Sequence, residues 1–183
     1  MITVPILHTE RLILRSFTFG DAADVKRLAS DPDVAPATYF IERSYEEGAA
    51  EEWIWWCHEW LEDGERANLA ITLRTDGTLI GTVELTFRIH LPYNDASLGY
   101  WIGKPYWNCG YATEAAKAMV AYGFREHDLD LIYADYFNRN PASGRVMQKI
   151  GMRYAYDLPK DPEDDSSKDM IRYKILKSEF IEK

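Results

Sequence analysis

Cysteine is scarce: of 183 residues only Cys57 and Cys109 carry a thiol. Two cysteines without Cys-x-x-Cys spacing exclude a disulfide framework, a zinc ribbon and a dithiol redox site, and a reduced, cytoplasmic setting is the simplest expectation. The four histidines, His8, His58, His90 and His127, share no ligand spacing, so no metal is expected. Basic residues are outnumbered, 21 against 30 acidic, for a net charge of −9. That deficit argues against nucleic acid as a partner and suits a cationic acceptor. No apolar run reaches the length of a bilayer span, and the first residues alternate like a strand rather than forming a signal-peptide core, so no membrane partner is expected. Also missing are Gly-x-x-x-x-Gly-Lys-Ser/Thr, Gly-x-Gly-x-x-Gly, His-Glu-x-x-His and Gly-x-Ser-x-Gly, which removes P-loop, dinucleotide, zincin and hydrolase-elbow chemistry.

What is present suits a globular chain: 46% hydrophobic and 28% charged residues, with enough length for a substantial core. No repeat, linker or shift of composition divides it, so one domain over 1–183 is expected. Residues 10–15 read as a first strand. Thr18-x-x-Asp21 resembles a capping box opening a helix through Leu28, which Asp31-Pro32-Asp33 ends. Ser44-x-x-Glu47 predicts a second helix running to about Glu62. Trp53, Trp56 and Trp60 fall at i, i+3, i+7 on it and read first as a core face. Trp55, off that face and near Cys57, leaves the alternative of an aromatic wall on a cleft. Strands over 67–73 and 78–89 are joined by Asp76-Gly77, a hairpin signal. Leu91-Pro92-Tyr93-Asn94-Asp95 reads as a break. Further strands are expected over 129–137, 152–156 and 170–176, a short helix from Asn140 closing at Gly151, and a polar, acidic loop over 158–169.

The stretch that organises the chain is 98–124. Leu98-Gly99-Tyr100-Trp101-Ile102 reads as a buried strand, while Ala115, Met119 and Tyr122 share one face of a helix. Between them a turn holds Lys104-Pro105 and Asn108-Cys109-Gly110. A strand, a glycine-containing turn and a helix opening on small residues gather backbone N–H groups at a helix N-terminus, which makes an anion site suited to phosphate.

Trp107-Asn108-Cys109-Gly110-Tyr111-Ala112 resembles the Gln/Arg-x-x-Gly-x-Gly/Ala loop with which the GNAT superfamily of N-acetyltransferases grips the pyrophosphate of coenzyme A. The longer run Gly99-Tyr100-Trp101-Ile102-Gly103, then Tyr106-Trp107-x-x-Gly110-Tyr111-Ala112-Thr113-Glu114-Ala115, is similar to the RimJ/RimL-like branch, which acetylates protein N-termini among other acceptors. Thr9-Glu10-Arg11-Leu12 is also how that branch opens. Trp107 replaces Gln or Arg, and Asn108 and Cys109 replace the usual Gly and basic residue; a cradle built of amides survives those changes. The resemblance implies an α/β fold: a central, splayed, mixed sheet flanked by helices on both faces. It implies acetyl-CoA as co-substrate, held by Trp101, Ile102, Trp107, Asn108, Cys109, Gly110, Tyr111, Ala112 and Thr113.

Acetyl transfer from a thioester to an amine needs aligned reactants, a neutral amine, a stabilised oxyanion and a protonated leaving thiolate. The resemblance places backbone N–H groups of Tyr100, Trp101 and Ile102 at the thioester and the pantetheine amides. A second run, Asn138-Arg139-Asn140-Pro141-Ala142-Ser143 through Lys149-Ile150-Gly151-Met152, resembles the family's Asn-x-x-Ser…Lys-x-Gly-Phe/Met stretch. By that likeness Asn140 binds the pantetheine arm and Ser143 faces the sulfur; read bare, Asn140-Pro141-x-Ser143 is a helix cap. Where many members carry a proton-donating tyrosine, this chain has Met147, which leaves Ser143 as donor. Lys149 reads either as a phosphate contact or as solvated surface. Glu114, beside the phosphate loop, reads as a structural hydrogen-bonder.

The base is less defined. The strand that often supplies a glutamate in this superfamily reads Ala96-Ser97, leaving Glu84, Asp95 and His90. Glu84 reads alternatively as an outward strand residue and His90 as loop surface. An α-amino group titrating at about 8 needs less help than a lysine at about 10.4, so the lack of a strong base favours a protein N-terminus or a weakly basic small amine. Three readings follow: acetylation of a protein N-terminal α-amino group, of the ribosomal-protein type; acetylation of a small amine such as an amino acid, polyamine or aminoglycoside; and non-catalytic acyl-CoA binding. A homodimer is left open.

Overall fold

Leu12 and Leu14 alternate with Ile13 and Arg15, and both leucines are fully buried, the period-2 pattern of a half-buried strand. In the computed structural model, which describes residues 6–34, 47–90, 93–158 and 169–180, they lie on β2 (Leu12–Arg15), paired antiparallel to the two-residue β1 (Leu7–His8). Arg15 turns the other way and grips Asp21 at 2.8 Å. Asp21 also accepts the Thr18 N–H at 2.7 Å, so the expected capping pair closes a 3-10 turn, Phe19–Asp21, from which α1 (Ala22–Ala29) continues.

The second helix, α2 (Ala49–Glu62), corrects the sequence reading twice. It begins after Gly48 rather than at Ser44, which lies outside the described residues. Its core face is Ala50, Ile54, Cys57 and Leu61, at i, i+4, i+7, i+11, and not the tryptophan stripe. Trp55 and Trp56 are 44% and 42% exposed, and Trp53 and Trp60 sit half-buried at the edge. A helix lying on a sheet buries a stripe little wider than 100°. Here the smaller branched side chains fill it against Ala70 and Leu79, and the indoles lean out sideways.

Three antiparallel strands follow: β3 (Arg66–Leu73), β4 (Leu79–His90) and β5 (Tyr93–Ile102), with Asp76-Gly77 in the first turn as expected. The third is longer than 98–102, because its ladder with β4 runs from His90↔Tyr93 to Gly81↔Ile102. Asn94 and Asp95 belong to it rather than breaking it. Asp95 tolerates a strand because Arg88, directly opposite, holds it at 2.9 Å. Then come α3 (Tyr111–Glu126), β6 (Leu131–Phe137), α4 (Pro141–Lys149), β7 (Arg153–Asp157) and β8 (Met170–Leu176).

The strands form one eight-stranded mixed sheet in the order β1-β2-β3-β4-β5-β6-β8-β7. Leu69, Ile71, Val83 and Leu85 pack with Ala116, Met119 and Val120 of α3, whereas Ala70 and Leu79 meet α1 and α2 on the opposite face. The expected helices on both faces are therefore present. The parallel pairing of β5 with β6 covers only Asp95↔Leu131, Ala96↔Ile132 and Ser97↔Tyr133. Beyond it β5 stays with β4 up to Ile102 and β6 with β8 up to Phe137, so the two strands part. The acidic run 159–168 lies outside the described residues.

Candidate active site

The divergence leaves strand backbone unpaired in the middle of a sheet. Gly103 donates to the Ile80 carbonyl at 2.8 Å; by the antiparallel alternation Trp101 and Gly99 then bond β4, and Tyr100 presents its N–H and C=O, and Ile102 its N–H, to the gap. Side chains alternate likewise: Trp101 packs with Leu28, Ala29 and Val34 on the α1 side, Tyr100 toward α3 and α4.

At the open end of the gap α3 begins. Asn108 and Gly110 take left-handed backbone angles, φ 62° and 82°, and Gly110 caps the helix, leaving its first-turn N–H groups free of intrahelical partners. The loop is clipped from behind. Trp107 Nε1 donates to the Ile102 carbonyl at 2.6 Å, and Arg11 Nη1 to the Cys109 carbonyl at 2.9 Å. Glu114 anchors Arg11, accepting from its backbone N–H at 2.8 Å and from Nε at 2.7 Å, and takes the Thr9 hydroxyl at 2.6 Å. Burial pushes the Glu114 carboxyl up, but the hydrogen bonds from Thr9 and Arg11 outweigh it and hold the group below its ordinary value. Glu114 thus has the structural place expected. Arg11 was missed as a site residue, although the Thr9-Glu10-Arg11-Leu12 opening contained it.

A groove of about 320 Å³ runs from this loop along the gap. Trp101, Ile102, Trp107, Asn108, Gly110, Tyr111, Ala112 and Thr113 form one side, with Asn140, Ser143, Val146 and Lys149 on the other. Every predicted coenzyme-binding residue lines it except Cys109, which is exposed with Sγ 3.4 Å from the Trp107 carbonyl. A groove ending on free amides of left-handed turn and helix N-terminus fits a diphosphate. A Cβ at Gly110 would have a strained φ and stand 3.5 Å from Arg11 Nη2.

A second cleft, of about 400 Å³, opens on the α2 side and shares Tyr100, Trp101, Asn140 and Ser143 with the groove. Where they meet, Tyr100 Oη lies 2.9 Å from the Ser143 carbonyl and 3.0 Å from Ser143 Oγ. The sequence offered Tyr100 for its backbone; its side chain is also in the site. Burial pushes the Tyr100 phenol up, only partly offset by the Ser143 bond, so it stays protonated. Met147, fully buried, lines the second cleft where a tyrosine is usual.

Glu84 lies on the floor of this cleft and is 8% exposed, so it is no outward strand residue. Burial pushes its carboxyl above the ordinary value, and Arg66 pulls partly back. Arg66 lines the same cleft, its guanidinium 4.5 Å from the Trp60 ring centroid. Trp53 and Trp60 make the aromatic wall; Trp55, the candidate for it, does not line the cleft. Asp95 lines neither space, being buried in its pair with Arg88, and the His90 side chain lies outside the described residues. Sequence reasoning missed Asn68, Asp135 and Arg172; the last two form an ion pair at 2.7 Å with Asp135 on the cleft wall. Among the described residues no group of three or more His, Cys, Asp or Glu could hold a metal, and no helix is long and apolar enough to cross a membrane.

Two clefts that join end to end, one closed by a diphosphate cradle, suit a group-transfer enzyme handling two substrates at once. Residues 11–153 match the Acetyltransferase (GNAT) domain, and the chain belongs to the GNAT family of acetyl-CoA-dependent N-acetyltransferases. It is 33% identical over 176 residues to the uncharacterized N-acetyltransferase YnaD of Bacillus subtilis, covering 95% of this chain and 98% of that one. A crystal structure of a GNAT-family acetyltransferase from Bacillus anthracis matches with a TM-score of 0.80 at 30% identity, over 96% of this chain and 100% of that one. At 21% identity, the spermidine N-acetyltransferase of Vibrio cholerae in complex with CoA and spermine shares the fold, with a TM-score of 0.77 over 93% and 98%.

Proposed function

We propose that the acceptor is the α-amino group of a polypeptide N-terminus, acetylated in the cytoplasm in the manner of the RimJ/RimL-like branch. The observation that carries this reading is the charge of the acceptor cleft: among the described residues that line it, Glu84 is one of two carboxyls, with the Arg66 cation beside it. A polyamine asks for several carboxylates. Asp135, the other carboxyl among the described residues of the cleft, is bound to Arg172. An α-ammonium titrating near about 8 gives its proton readily to a carboxyl raised by burial, whereas an ε-ammonium near about 10.4 does not.

In this reading Glu84 takes the acceptor's proton and Tyr100 N–H, facing the gap, meets the carbonyl oxygen. Ser143 donates to the leaving sulfur, Asn140 binds the pantetheine arm, and the amides of residues 108–113 hold the diphosphate. A second reading, a small primary amine such as a free amino acid, is favoured by the cleft volume of about 400 Å³, the size of a small-molecule site. Turnover of acetyl-CoA, read as free thiol, separates them. Peptides with a free N-terminal Ser, Ala or Met are expected to outrun their constituent amino acids, spermidine and an aminoglycoside in kcat/KM, with the acetyl group found on the α-nitrogen by mass spectrometry. A preference for spermidine or the aminoglycoside refutes the α-amino assignment.

A further inference from the structure

Beneath the acceptor cleft three buried polar side chains lie in a row on neighbouring strands. Asn68 of β3 stands directly opposite Glu84 of β4, and Thr82 sits two residues before it on the same face; they are 3%, 8% and 4% exposed. Asn68 Nδ2 is 2.9 Å from Glu84 Oε2. Thr82 Oγ1 is 2.6 Å from Asn68 Oδ1 and 2.8 Å from the Leu69 carbonyl. Gly99, opposite Glu84 on β5, makes the room: a Cβ there would stand 2.8 Å from Glu84 Oε1.

A hydroxyl has one proton, so Thr82 can donate to Asn68 or to Leu69 but not to both. With Glu84 ionised, Thr82 donates to Asn68 Oδ1 and Asn68 Nδ2 donates to the carboxylate. Turning the Asn68 amide over exchanges its donor and acceptor ends. Then a protonated Glu84 donates to Asn68 Oδ1, Asn68 Nδ2 donates to Thr82 Oγ1, and Thr82 donates to the Leu69 carbonyl. Both arrangements keep the chain of bonds unbroken.

We infer that Thr82, Asn68 and Glu84 form a reversible hydrogen-bond relay, in which turning the Asn68 amide supports Glu84 as carboxylate before it takes the acceptor's proton and as acid afterwards. This rests on the reading of Glu84 as the base and makes Asn68 a positioning residue. The balance is simple. An ammonium proton passes to Glu84 and frees the nitrogen lone pair, the N–C bond forms as the C–S bond breaks, Ser143 gives its proton to the departing sulfur, and the nitrogen's second proton returns through solvent to Ser143. Glu84 then returns its proton to water at the cleft mouth. The charged and titratable groups around Glu84 are Arg66 from β3, the buried neutral Cys57 from α2 and, across the cleft, Asp135 of β6 with its partner Arg172. Asn68 lies between Glu84 and Thr82, where it can answer a change of protonation by reversing its own polarity.

The test follows the Glu84 carboxyl by carbon-13 NMR and the pH profile of kcat/KM, in wild type and in Asn68→Leu, Asn68→Asp, Thr82→Val and Glu84→Gln. A bond to a charged acceptor is about twice as strong as a neutral one, so Asn68→Leu is expected to raise the Glu84 midpoint by about one pH unit and carry the acid limb of kcat/KM with it. Asn68→Asp keeps the shape but makes two carboxyls share a proton, and raises the midpoint further. Thr82→Val removes one bond from each state and shifts the midpoint less than either, while the acetyl-CoA dissociation constant stays put in all three. A Glu84 midpoint that moves in neither Asn68 variant overturns the relay. Full activity in Glu84→Gln instead overturns the base assignment, whatever the NMR midpoints show.

Discussion

The Tyr100 hydroxyl donates to the Ser143 carbonyl at 2.9 Å and stands 3.0 Å from Ser143 Oγ, at the junction of the two clefts. A phenol that donates to the carbonyl can only accept from the serine, so Tyr100 sets where the Ser143 proton points until sulfur competes for it. Loss of one donor to developing charge in a water-poor site costs about 2–4 kcal/mol, or a hundredfold and more in rate. Ser143→Ala is therefore expected to cut kcat about a hundredfold and leave the acetyl-CoA dissociation constant within a few-fold. Tyr100→Phe should lower kcat by less. The double variant should fall no further than Ser143→Ala, because the two act as one unit. Wild-type kcat in Ser143→Ala across the pH range would show that another donor serves.

The phosphate loop depends on one backbone angle. Gly110 at φ 82° holds a conformation that costs other residues about 1–2 kcal/mol, and in the proposed reading its N–H is one of the amides that hold the diphosphate. Gly110→Asp adds that strain and sets a carboxylate in the turn beside Arg11, which holds the loop, and calorimetry is expected to show acetyl-CoA binding weakened. Arg11→Ala is a milder probe: it removes the clip on the Cys109 carbonyl and leaves Glu114 without its cation, so binding should weaken while the fold persists.

The turn at the start of α3 was legible because it is local: seven consecutive residues carry the turn, the cap and the first helical N–H groups. The helix start at Asn140 was legible for the same reason, and it brings Asn140, the cap, and Ser143, in the first turn of α4, to the walls of both clefts. Of the polar lining of the second cleft, Glu84 was legible and its neighbours were not. Asn68 and Glu84 are 16 residues apart and meet only through the register of β3 with β4, and Asp135 and Arg172 are 37 apart. The tryptophans of α2 show a second limit. Periodicity tells which residues share a side of a helix but not which side the sheet will take, and Ile54 and Cys57 fitted it where indoles did not. Tyr100 was read through its backbone alone, because Ser143 lies 43 residues further on.

The two cysteines should differ sharply. Cys109 is exposed in the loop, whereas Cys57 is buried under α2, where desolvation pushes its thiol up and keeps it protonated. Iodoacetamide at pH 8 is expected to modify Cys109 and spare Cys57 in the folded protein. Acetyl-CoA should slow the reaction, since Asn108 and Gly110 on either side line its groove. Equal labelling of both thiols, read by peptide mass spectrometry, would contradict the loop geometry. Direct transfer from thioester to amine predicts that a Cys109→Ala variant keeps its activity, and loss of turnover in it would point to an acyl-enzyme.

Glu84 gives the last prediction, in which stability and activity move in opposite directions. Burial raises its carboxyl above the glutamate value of about 4.3 expected in an unfolded chain. Between the unfolded and folded values the native state holds a proton that the unfolded state has lost. Stability therefore falls as pH rises through that window, and above it the full cost of a buried carboxylate is present. Glu84→Gln keeps the shape and the bond from Asn68 Nδ2 but removes the charge. Thermal melting at pH 8 should show the variant more stable than wild type, and at pH 4, where both carry a neutral side chain, the two melting temperatures should converge. On the reading of Glu84 as the base, the same variant loses the group that takes the acceptor's proton, so kcat/KM at neutral pH should drop while acetyl-CoA still binds. A variant no more stable at pH 8 than at pH 4, relative to wild type, would mean that Glu84 reaches solvent in the native state, and the case for a raised carboxyl at the floor of the cleft would fall with it.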